Sequence, residues 1–118
     1  MDYVSIDTNI RPAIKLSIVN SNSKARAVFG RGVVELLLNV EKDGSLNKAA
    51  KQMNMSYSKA WKLIQQTEEA LGLQLLIKKR PNGSELTEEA KKLSHTYVKL
   101  LEKIQKESEK RFLELMNE

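Results

Sequence analysis

Three patterns in the 118-residue sequence predict a mainly α-helical fold with a small amount of β-structure. Within 45–72, two apolar runs with helical spacing are separated by a turn of only a few residues, which is typical of a tightly connected helix pair. A short apolar stretch with a central turn follows at 75–87, which is typical of a β-hairpin. Residues 88–118 then keep the spacing of one long helix. The length allows a single domain with one modest core.

The N-terminal segment is predicted to be an arm followed by a β-hairpin. Residues 1–11 show no periodic pattern, so we expect a loose arm there. Apolar side chains then alternate with polar ones at Ile14, Leu16 and Ile18. Residues 20–23 favour a turn, and residues 25–29 alternate again. Because two strands are rarely stable alone, the apolar face of this hairpin must pack on the helices or on a second copy of the chain.

A first helix is predicted over 33–42, where apolar residues recur every three or four positions. Gly44 provides a C-terminal stop for this helix. The preceding Gly30-Arg31-Gly32 is interpreted as a plain turn. It lacks the third glycine of a dinucleotide-binding loop and the Gly-Lys-Ser/Thr of a phosphate-binding loop.

Residues 45–72 are predicted to form a helix-turn-helix. Ser45 is a favourable N-cap for a short helix that ends near Met53, and Ser56 caps a longer helix that ends before Gly72. Two small residues, Ala49 and Ala50, allow the helices to cross closely. The longer helix has one apolar stripe, which consists of Ala60, Ile64, Thr67 and Leu71, with Leu63 at its edge.

The segment 75–87 is predicted to be a wing, that is, a short hairpin attached to the helix-turn-helix, with a Pro81-Asn82-Gly83 turn near its tip. The helix over 88–118 would span about 45 Å, which is longer than so small a core can cover. Its apolar residues include a 4, 3, 4 spacing typical of a two-helix seam. We therefore predict a dimerisation helix, with the interface formed by Leu93, Tyr97, Leu100, Ile104 and Phe112, together with Ile14, Leu16 and Ile18 of the hairpin.

The formal net charge of +5 is concentrated in residues 45–83, which hold seven basic and two acidic side chains. The flanking segments are nearly neutral. Lysine and arginine side chains near phosphates release condensed counterions on binding, so this distribution favours a surface for a polyanion. A solvated lysine-rich surface is the alternative interpretation.

Composition excludes several classes of function. Cysteine is absent and His95 is the only histidine, which excludes disulfides, thiolate chemistry and an ordinary zinc site. One histidine forms neither a metal-ligand set nor a catalytic triad, so we expect no enzyme, no metal and no cofactor. The sequence contains no apolar run long enough to span a membrane and no secretory signal, so a cytoplasmic location is expected.

Two sequence motifs resemble the N-terminal DNA-binding domain of the ModE family of molybdate-responsive transcription regulators. They are Gly44-Ser45-Leu46-Asn47-Lys48-Ala49-Ala50-Lys51 and Ser56-Tyr57-Ser58-Lys59-Ala60-Trp61, and the likeness covers about 29–101. More distantly, residues 45–78 are similar to the winged helix-turn-helix of LysR-type regulators, which has a similar Glu68-Glu69-x-Leu71-Gly72 end.

The resemblance implies DNA binding and dimerisation through the hairpin region and the long C-terminal helix. ModE regulators usually continue into a molybdate-binding domain, whereas this sequence stops at Glu118. We therefore expect a stand-alone DNA-binding member, without molybdate or another oxyanion as its ligand. Ala90 departs from the family pattern, which often has glycine there, and the wing is short. Both departures leave the groove contacts of the wing open.

The predicted DNA contacts lie on the longer helix of the pair and on the wing. Opposite the apolar stripe, the helix carries Ser58, Lys62 and Gln65, flanked by Trp61 and Gln66. Ser56 and Tyr57 lie at its start, and Lys59 faces sideways. The basic residues of the wing are Lys78, Lys79 and Arg80. Gln65 could pair with adenine, and Lys62 could reach either guanine or a phosphate. Trp61 could instead be a packing residue, and the basic wing tip could be a solvated turn.

The sequence thus predicts a transcription regulator of the bacterial nucleoid that binds double-stranded DNA as a homodimer on an inverted repeat. Two other classes remain: a winged-helix module that binds another protein, and a nonspecific chromosome-associated protein. The concentration of positive charge in 45–83 favours DNA over a protein partner.

Overall fold

The computed structural model of the chain describes residues 7, 9–24, 29–81 and 83–118. Its described residues form four α-helices and one antiparallel pair of strands. In chain order these are α1 (Arg31–Asp43), α2 (Leu46–Gln52), α3 (Tyr57–Leu71), β1 (Leu76–Lys79), β2 (Gly83–Leu86) and α4 (Glu88–Met116). The predicted mainly helical fold with a wing and a long C-terminal helix is confirmed.

Helix α1 begins two residues earlier than the sequence predicts. Gly30 is its N-cap, so Arg31 and Gly32 form the first helical turn and the plain turn predicted at 30–32 is wrong. The Val34 N–H donates to the Gly30 carbonyl at 3.0 Å, so the helical hydrogen bonds already begin at Gly30 and the glycines carry only an entropic cost. The predicted stop is confirmed: Gly44 adopts a left-handed conformation (φ 69°), and its N–H donates to the Val40 carbonyl at 2.7 Å.

In the helix-turn-helix, a serine side chain caps the N-terminus of each helix. The Ser45 hydroxyl oxygen accepts the Lys48 N–H at 3.2 Å, and the Ser56 hydroxyl oxygen accepts the Lys59 N–H at 3.1 Å. Between the helices, Asn54 has a positive φ of 54°, a conformation that asparagine tolerates better than most residues. Both predicted caps are therefore confirmed.

The core lies where α1, α2 and α3 meet. Ala49 and Ala50 of α2 have no exposed surface, consistent with the close crossing that their size predicts. The fourth buried residue of α3 is Ala70 rather than the predicted Leu71, which is half-buried at the edge of the domain. The largest fully buried side chains are Phe29, Leu36, Leu37, Leu46, Ile64 and Leu75.

The wing is attached to the core at several points. Its strands pair from Leu76 opposite Leu86 to Lys79 opposite Gly83. The Ser84 N–H donates to the Gly44 carbonyl at 2.9 Å, which ties β2 to the turn between α1 and α2. At the base of β1, the Glu68 carboxylate of α3 accepts the Leu75 N–H at 2.7 Å.

The predicted N-terminal hairpin is reduced, within the described residues, to a single antiparallel bridge. Ile18 and Phe29 each donate an N–H to the other's carbonyl at 2.9 Å, while residues 25–28 of the predicted second strand lie outside the described residues. The preceding segment bonds to side chains of α4 instead of a strand. The Tyr97 hydroxyl donates to the Leu16 carbonyl at 2.7 Å, and Gln105 pairs with the backbone of residues 12 and 14.

Helix α4 contacts the core through its N-terminal half, where Leu93 and Leu101 also pack against it. Ala90, Ser94 and Tyr97 are its buried residues, and the Tyr97 ring packs edge-to-face on Phe29 with centroids 6.0 Å apart. Since α4 continues for nineteen further residues, the chain is elongated, with a longest extent of 67 Å. None of the described helices is long and apolar enough to cross a membrane.

Candidate nucleic-acid interface

The face of α3 that points away from the core is polar and exposed. Ser58, Lys62 and Gln65 are all exposed on it, while Ala60 and Ile64 are fully buried on the opposite side. The buried residues hold the helix against α1 and α2, so the exposed side chains project from a rigid element. The structure therefore brings together the three side chains predicted opposite the apolar stripe.

The N-terminus of α3 is also accessible. Ser56 is exposed, and its hydroxyl oxygen accepts the Lys59 N–H, which leaves the hydroxyl hydrogen free to donate. Tyr57 is 46% exposed, and Lys59 is exposed beside it. Unpaired N–H groups and the helix dipole make such a terminus favourable for a phosphate. These residues form the end of the helix that faces solvent beside the wing.

Trp61 packs against the core and also lies beside the wing. Its side chain is half-buried and packs against the core, as expected for a packing residue. The Lys78 ammonium of β1 lies over its ring, with Nζ 4.9 Å from the centroid. The tryptophan therefore joins α3 to the wing through a cation–π contact, which sequence reasoning missed.

The three predicted basic residues of the wing have different surroundings. Lys78 lies over the indole, whereas Lys79 Nζ is 3.0 Å from Glu85 Oε2 across the two strands. This hydrogen bond and the lysine charge lower the pKa of the Glu85 carboxyl. Arg80 is exposed at the start of the turn. Lys79 thus has a carboxylate partner, whereas Lys78 lies on an aromatic ring.

A cleft of about 740 Å³ separates α2 from the wing and is lined by five of the seven basic residues of 45–83. None of the described residues that line it is acidic. Two lysines come from α2 and three basic residues from the wing: Lys48, Lys51, Lys78, Lys79 and Arg80. Tyr57 at the start of α3 also lines the cleft. We refer to this feature as the basic cleft.

Lys48 and Lys51 are absent from the contacts that the sequence predicts, although they contribute to its local charge. Both lysines are exposed, while Leu46, Ala49 and Ala50 of the same helix are buried. The helical spacing of those buried residues already places both lysines on the solvent side. What the spacing does not show is that the wing folds back beside them.

The residues predicted for a dimer interface fall into two groups. Tyr97 lies in the chain's own core at 3% exposure, so almost none of its surface is left for a partner. Leu16 and Ile18 also pack against that core, and Ile14 is half-buried beside α4. Leu93 is half-buried and also packs against the core, whereas Ile104 and Phe112 are half-buried further along α4 and Leu100 is 39% exposed.

Other titratable residues form local structural contacts. His95 Nε2 lies 2.9 Å from Glu41 Oε1, which links α4 to the end of α1. Glu88 in the first turn of α4 pairs with Lys91 at 3.4 Å and complements the helix dipole. Among the residues that the structure describes, no three histidine or carboxylate side chains cluster as a metal site would require.

Comparisons with known proteins agree with this geometry. The sequence model of the lysR family of bacterial regulatory helix-turn-helix proteins matches residues 33–91. Among solved structures, the crystal structure of a CbnR_DBD–DNA complex matches with a TM-score of 0.57 at 21% identity. The alignment covers 71% of this chain and 95% of the other, and at this identity it shows the fold alone. No curated protein sequence matches significantly.

Proposed function

The chain belongs to the lysR family of bacterial regulatory helix-turn-helix proteins, and from this premise we propose that it is a sequence-specific transcription regulator that binds DNA as a homodimer. A chromosomal regulator of this kind acts at the nucleoid, in the cytoplasm. The observation that carries the proposal is that an exposed polar helix face and the basic cleft lie side by side on a rigid frame.

Helix α3 is the proposed recognition helix. In helix-turn-helix docking, the second helix enters the major groove with its N-terminal residues near the base edges, and the first crosses the backbone. Gln65 has the functional group for a bidentate pair with adenine, and Lys62 can reach guanine or a phosphate. At the helix start, Ser56, Tyr57, Ser58 and Lys59 are the proposed contacts to the nearest bases and phosphates.

The basic cleft is the proposed seat of the DNA backbone. Contacts to phosphates position a protein on the duplex and supply much of its affinity, whereas contacts to bases select the sequence. Lys48 and Lys51 on α2, with Lys78 and Arg80 on the wing, face one open space without a carboxylate among its described lining residues. A DNA backbone, which carries one negative charge on each phosphodiester, is a polyanion that such a one-signed cleft attracts.

Dimerisation is proposed through α4, with the N-terminal segment supporting it. Beyond Tyr97, α4 exposes apolar side chains that the described part of the chain leaves uncovered, among them Leu100 and Leu113. A second copy that covers them would place two recognition helices on one face of the duplex, as an inverted repeat requires. This arrangement, together with the two motifs at 44–51 and 56–61, is what would make the chain a ModE-like regulator.

A selection experiment tests the proposal. The purified chain selects duplexes from a random pool, and fluorescence anisotropy then compares the selected duplex with a scrambled one at several salt concentrations. We expect the selected duplex to be an inverted repeat, bound about a thousandfold or more tightly than the scrambled one, with two chains per site. Equal, steeply salt-dependent affinities would indicate a nonspecific chromosome-associated protein. Absence of binding at physiological salt would favour a protein partner on α4.

The role of Gln65 in sequence recognition is tested by Gln65→Ala. We expect relaxed preference at one position of each half-site, costing about 1–3 kcal/mol per half-site. Gln66→Ala is the comparison variant: Gln66 lies about 100° further around α3, at the flank of the predicted face, and its loss should change the preference less. Unchanged preference of Gln65→Ala in a repeated selection would remove Gln65 from the base contacts.

A further inference from the structure

We propose that Trp61 is a positioning residue for DNA binding, which holds Lys78 of the wing in place beside the recognition helix so that its ammonium meets a DNA phosphate. This inference rests on the proposed DNA-binding function and assigns Trp61 a role within that site. It makes Lys78 the principal phosphate contact of the wing, ahead of Lys79. It also explains why a large aromatic residue lies at this half-buried position.

The geometry supports a fixed contact between the two residues. Trp61 packs against the core from α3, so its ring is held by the frame of the helix-turn-helix. Lys78 extends from β1 and places Nζ 4.9 Å from the ring centroid, within the range of a favourable cation–π contact. Since an indole accepts the ammonium without neutralising its charge, Lys78 remains a full cation for an incoming phosphate.

Lys79, the next residue of the strand, is paired with a carboxylate instead of an aromatic ring. Successive side chains of a strand project to opposite faces, and only Lys78 lies over the indole of α3. Lys79 is paired with Glu85 at 3.0 Å, and a phosphate must compete with that carboxylate for the lysine. Two adjacent residues of the same type thus differ in their partners: Lys78 lies on an aromatic ring, whereas Lys79 has a carboxylate partner.

Pre-positioning has a physical benefit. A lysine side chain has many rotamers, and ordering it at an interface costs entropy. The indole restricts Lys78 before DNA arrives, so less of that cost falls on binding. The same contact ties the wing to α3, and a shift of the wing would therefore separate Nζ from the ring.

Single variants and one double variant test the proposal through the affinity for the selected duplex and its salt dependence. Lys78→Met should weaken binding to all duplexes and lower the salt slope by about 1 per subunit. Trp61→Leu should produce part of that loss, because it keeps an apolar side chain but removes the aromatic face, and Trp61→Phe should restore most of the affinity. In a Lys78→Met background, Trp61→Leu should have little further effect. Lys79→Met should lower the slope less than Lys78→Met, because Lys79 is paired with Glu85; Lys103→Met on the exposed surface of α4 is the matched control and should leave the slope unchanged.

A spectroscopic measurement tests the contact in the free protein. Trp61 is the only tryptophan of the chain, so its emission reports on its own surroundings. Lys78→Met should shift that emission and Lys79→Met should not. If Trp61→Leu does not fold, the emission of Lys78→Met and the DNA affinity of Trp61→Phe still test the proposal. Unchanged tryptophan emission in Lys78→Met would overturn it.

The outcomes separate the two hypotheses. If the wild-type chain binds no DNA, the proposed function fails and the role of Trp61 fails with it. If the wild-type chain binds DNA but the Trp61→Leu and Lys78→Met effects simply add, the proposed function stands and the positioning role alone is wrong. Equal losses from Lys78→Met and Lys79→Met would likewise overturn it.

Discussion

The helix-turn-helix and the distal half of α4 share the same apolar helical spacing but differ in burial. Within 29–97, apolar side chains such as Leu37 and Ile64 are fully buried. Beyond Tyr97, no residue of the described helix α4 is buried, and Leu113 and Leu115 are 54% and 66% exposed. The comparison shows that apolar spacing predicts which helix face is apolar. It does not show which element or partner buries that face.

The charged side chains of the two regions differ in whether they are paired with an opposite charge. In α4, Lys106 pairs with Glu102, and Arg111 pairs with both Glu107 and Glu114, contacts that raise the pKa of Arg111. In the basic cleft, the lysines of α2 face open space beside the wing. Compensated charges keep a helix solvated, whereas a one-signed cleft attracts a polyanion.

The largest expected effect contrasts a core leucine with one on α4. Leu37→Ala should lower the free energy of unfolding by about 2–5 kcal/mol, because it leaves a cavity in a fully packed core. Leu100→Ala removes a side chain that is 39% exposed and should cost the isolated chain far less, while weakening self-association. Urea denaturation and analytical ultracentrifugation measure the two quantities. A Leu100→Ala variant with unchanged self-association would remove this residue from the interface.

The second prediction contrasts lysines of the two regions. The double variant Lys48→Met/Lys51→Met should weaken DNA binding on the order of a hundredfold near 0.15 M salt, through the loss of phosphate contacts. Its salt slope should fall by about 2 per subunit. Lys103→Met/Lys110→Met removes the same charge from exposed positions of α4 and is the matched control. Similar losses in both variants would indicate a net-charge effect rather than a defined cleft.

A third, smaller effect concerns the N-terminal segment on α4. Gln105 accepts the Ile14 N–H at 3.0 Å and donates to the Pro12 carbonyl at 2.7 Å, which an amide can do and a carboxylate cannot. Gln105→Glu should therefore loosen this segment by about 1 kcal/mol. Hydrogen exchange of the Ile14 amide measures the change, with amides of α3 as internal reference. Unaltered protection at Ile14 would show that Gln105 does not hold the segment.

The smallest effect is expected at Ser94. Its hydroxyl is fully buried, and its oxygen has no hydrogen-bond partner among the described residues. Ser94→Ala removes a desolvated polar group at nearly constant volume, so stability should stay the same or rise by up to about 1 kcal/mol. A clear fall in melting temperature would mean that the hydroxyl is satisfied in solution.

Local signals in the sequence were sufficient for most of the helical frame. Ser45 and Ser56 as caps, with Gly44 and Gly72 as stops, follow from chemistry within a few residues, and the structure confirms all four. The exposed face of α3 follows from helical periodicity in the same way. The wing is also confirmed at its predicted place, because its turn and its apolar ends are close in sequence.

The remaining features depend on residues far apart in the chain. The hydrogen bonds that join residues 12 and 14 to Gln105, and Leu16 to Tyr97, connect positions more than 80 residues apart. Lys78 on Trp61 and the pairing of Lys79 with Glu85 depend on how the wing is oriented. Lys48 and Lys51 join the site for the same reason. Hydrophobic periodicity predicts which residues share a face of one element, but not the distances between side chains on different elements.

The central claim is that DNA binds on the α3 and basic-cleft side and leaves the distal half of α4 free of DNA. Backbone amide NMR spectra of the chain, recorded with and without the selected duplex, test it directly. We expect large shift changes at α3, α2 and the wing, including Lys48 and Lys78, and little change beyond Tyr97. Chemical-shift changes concentrated in the distal half of α4, with little change at α3, would contradict the claim.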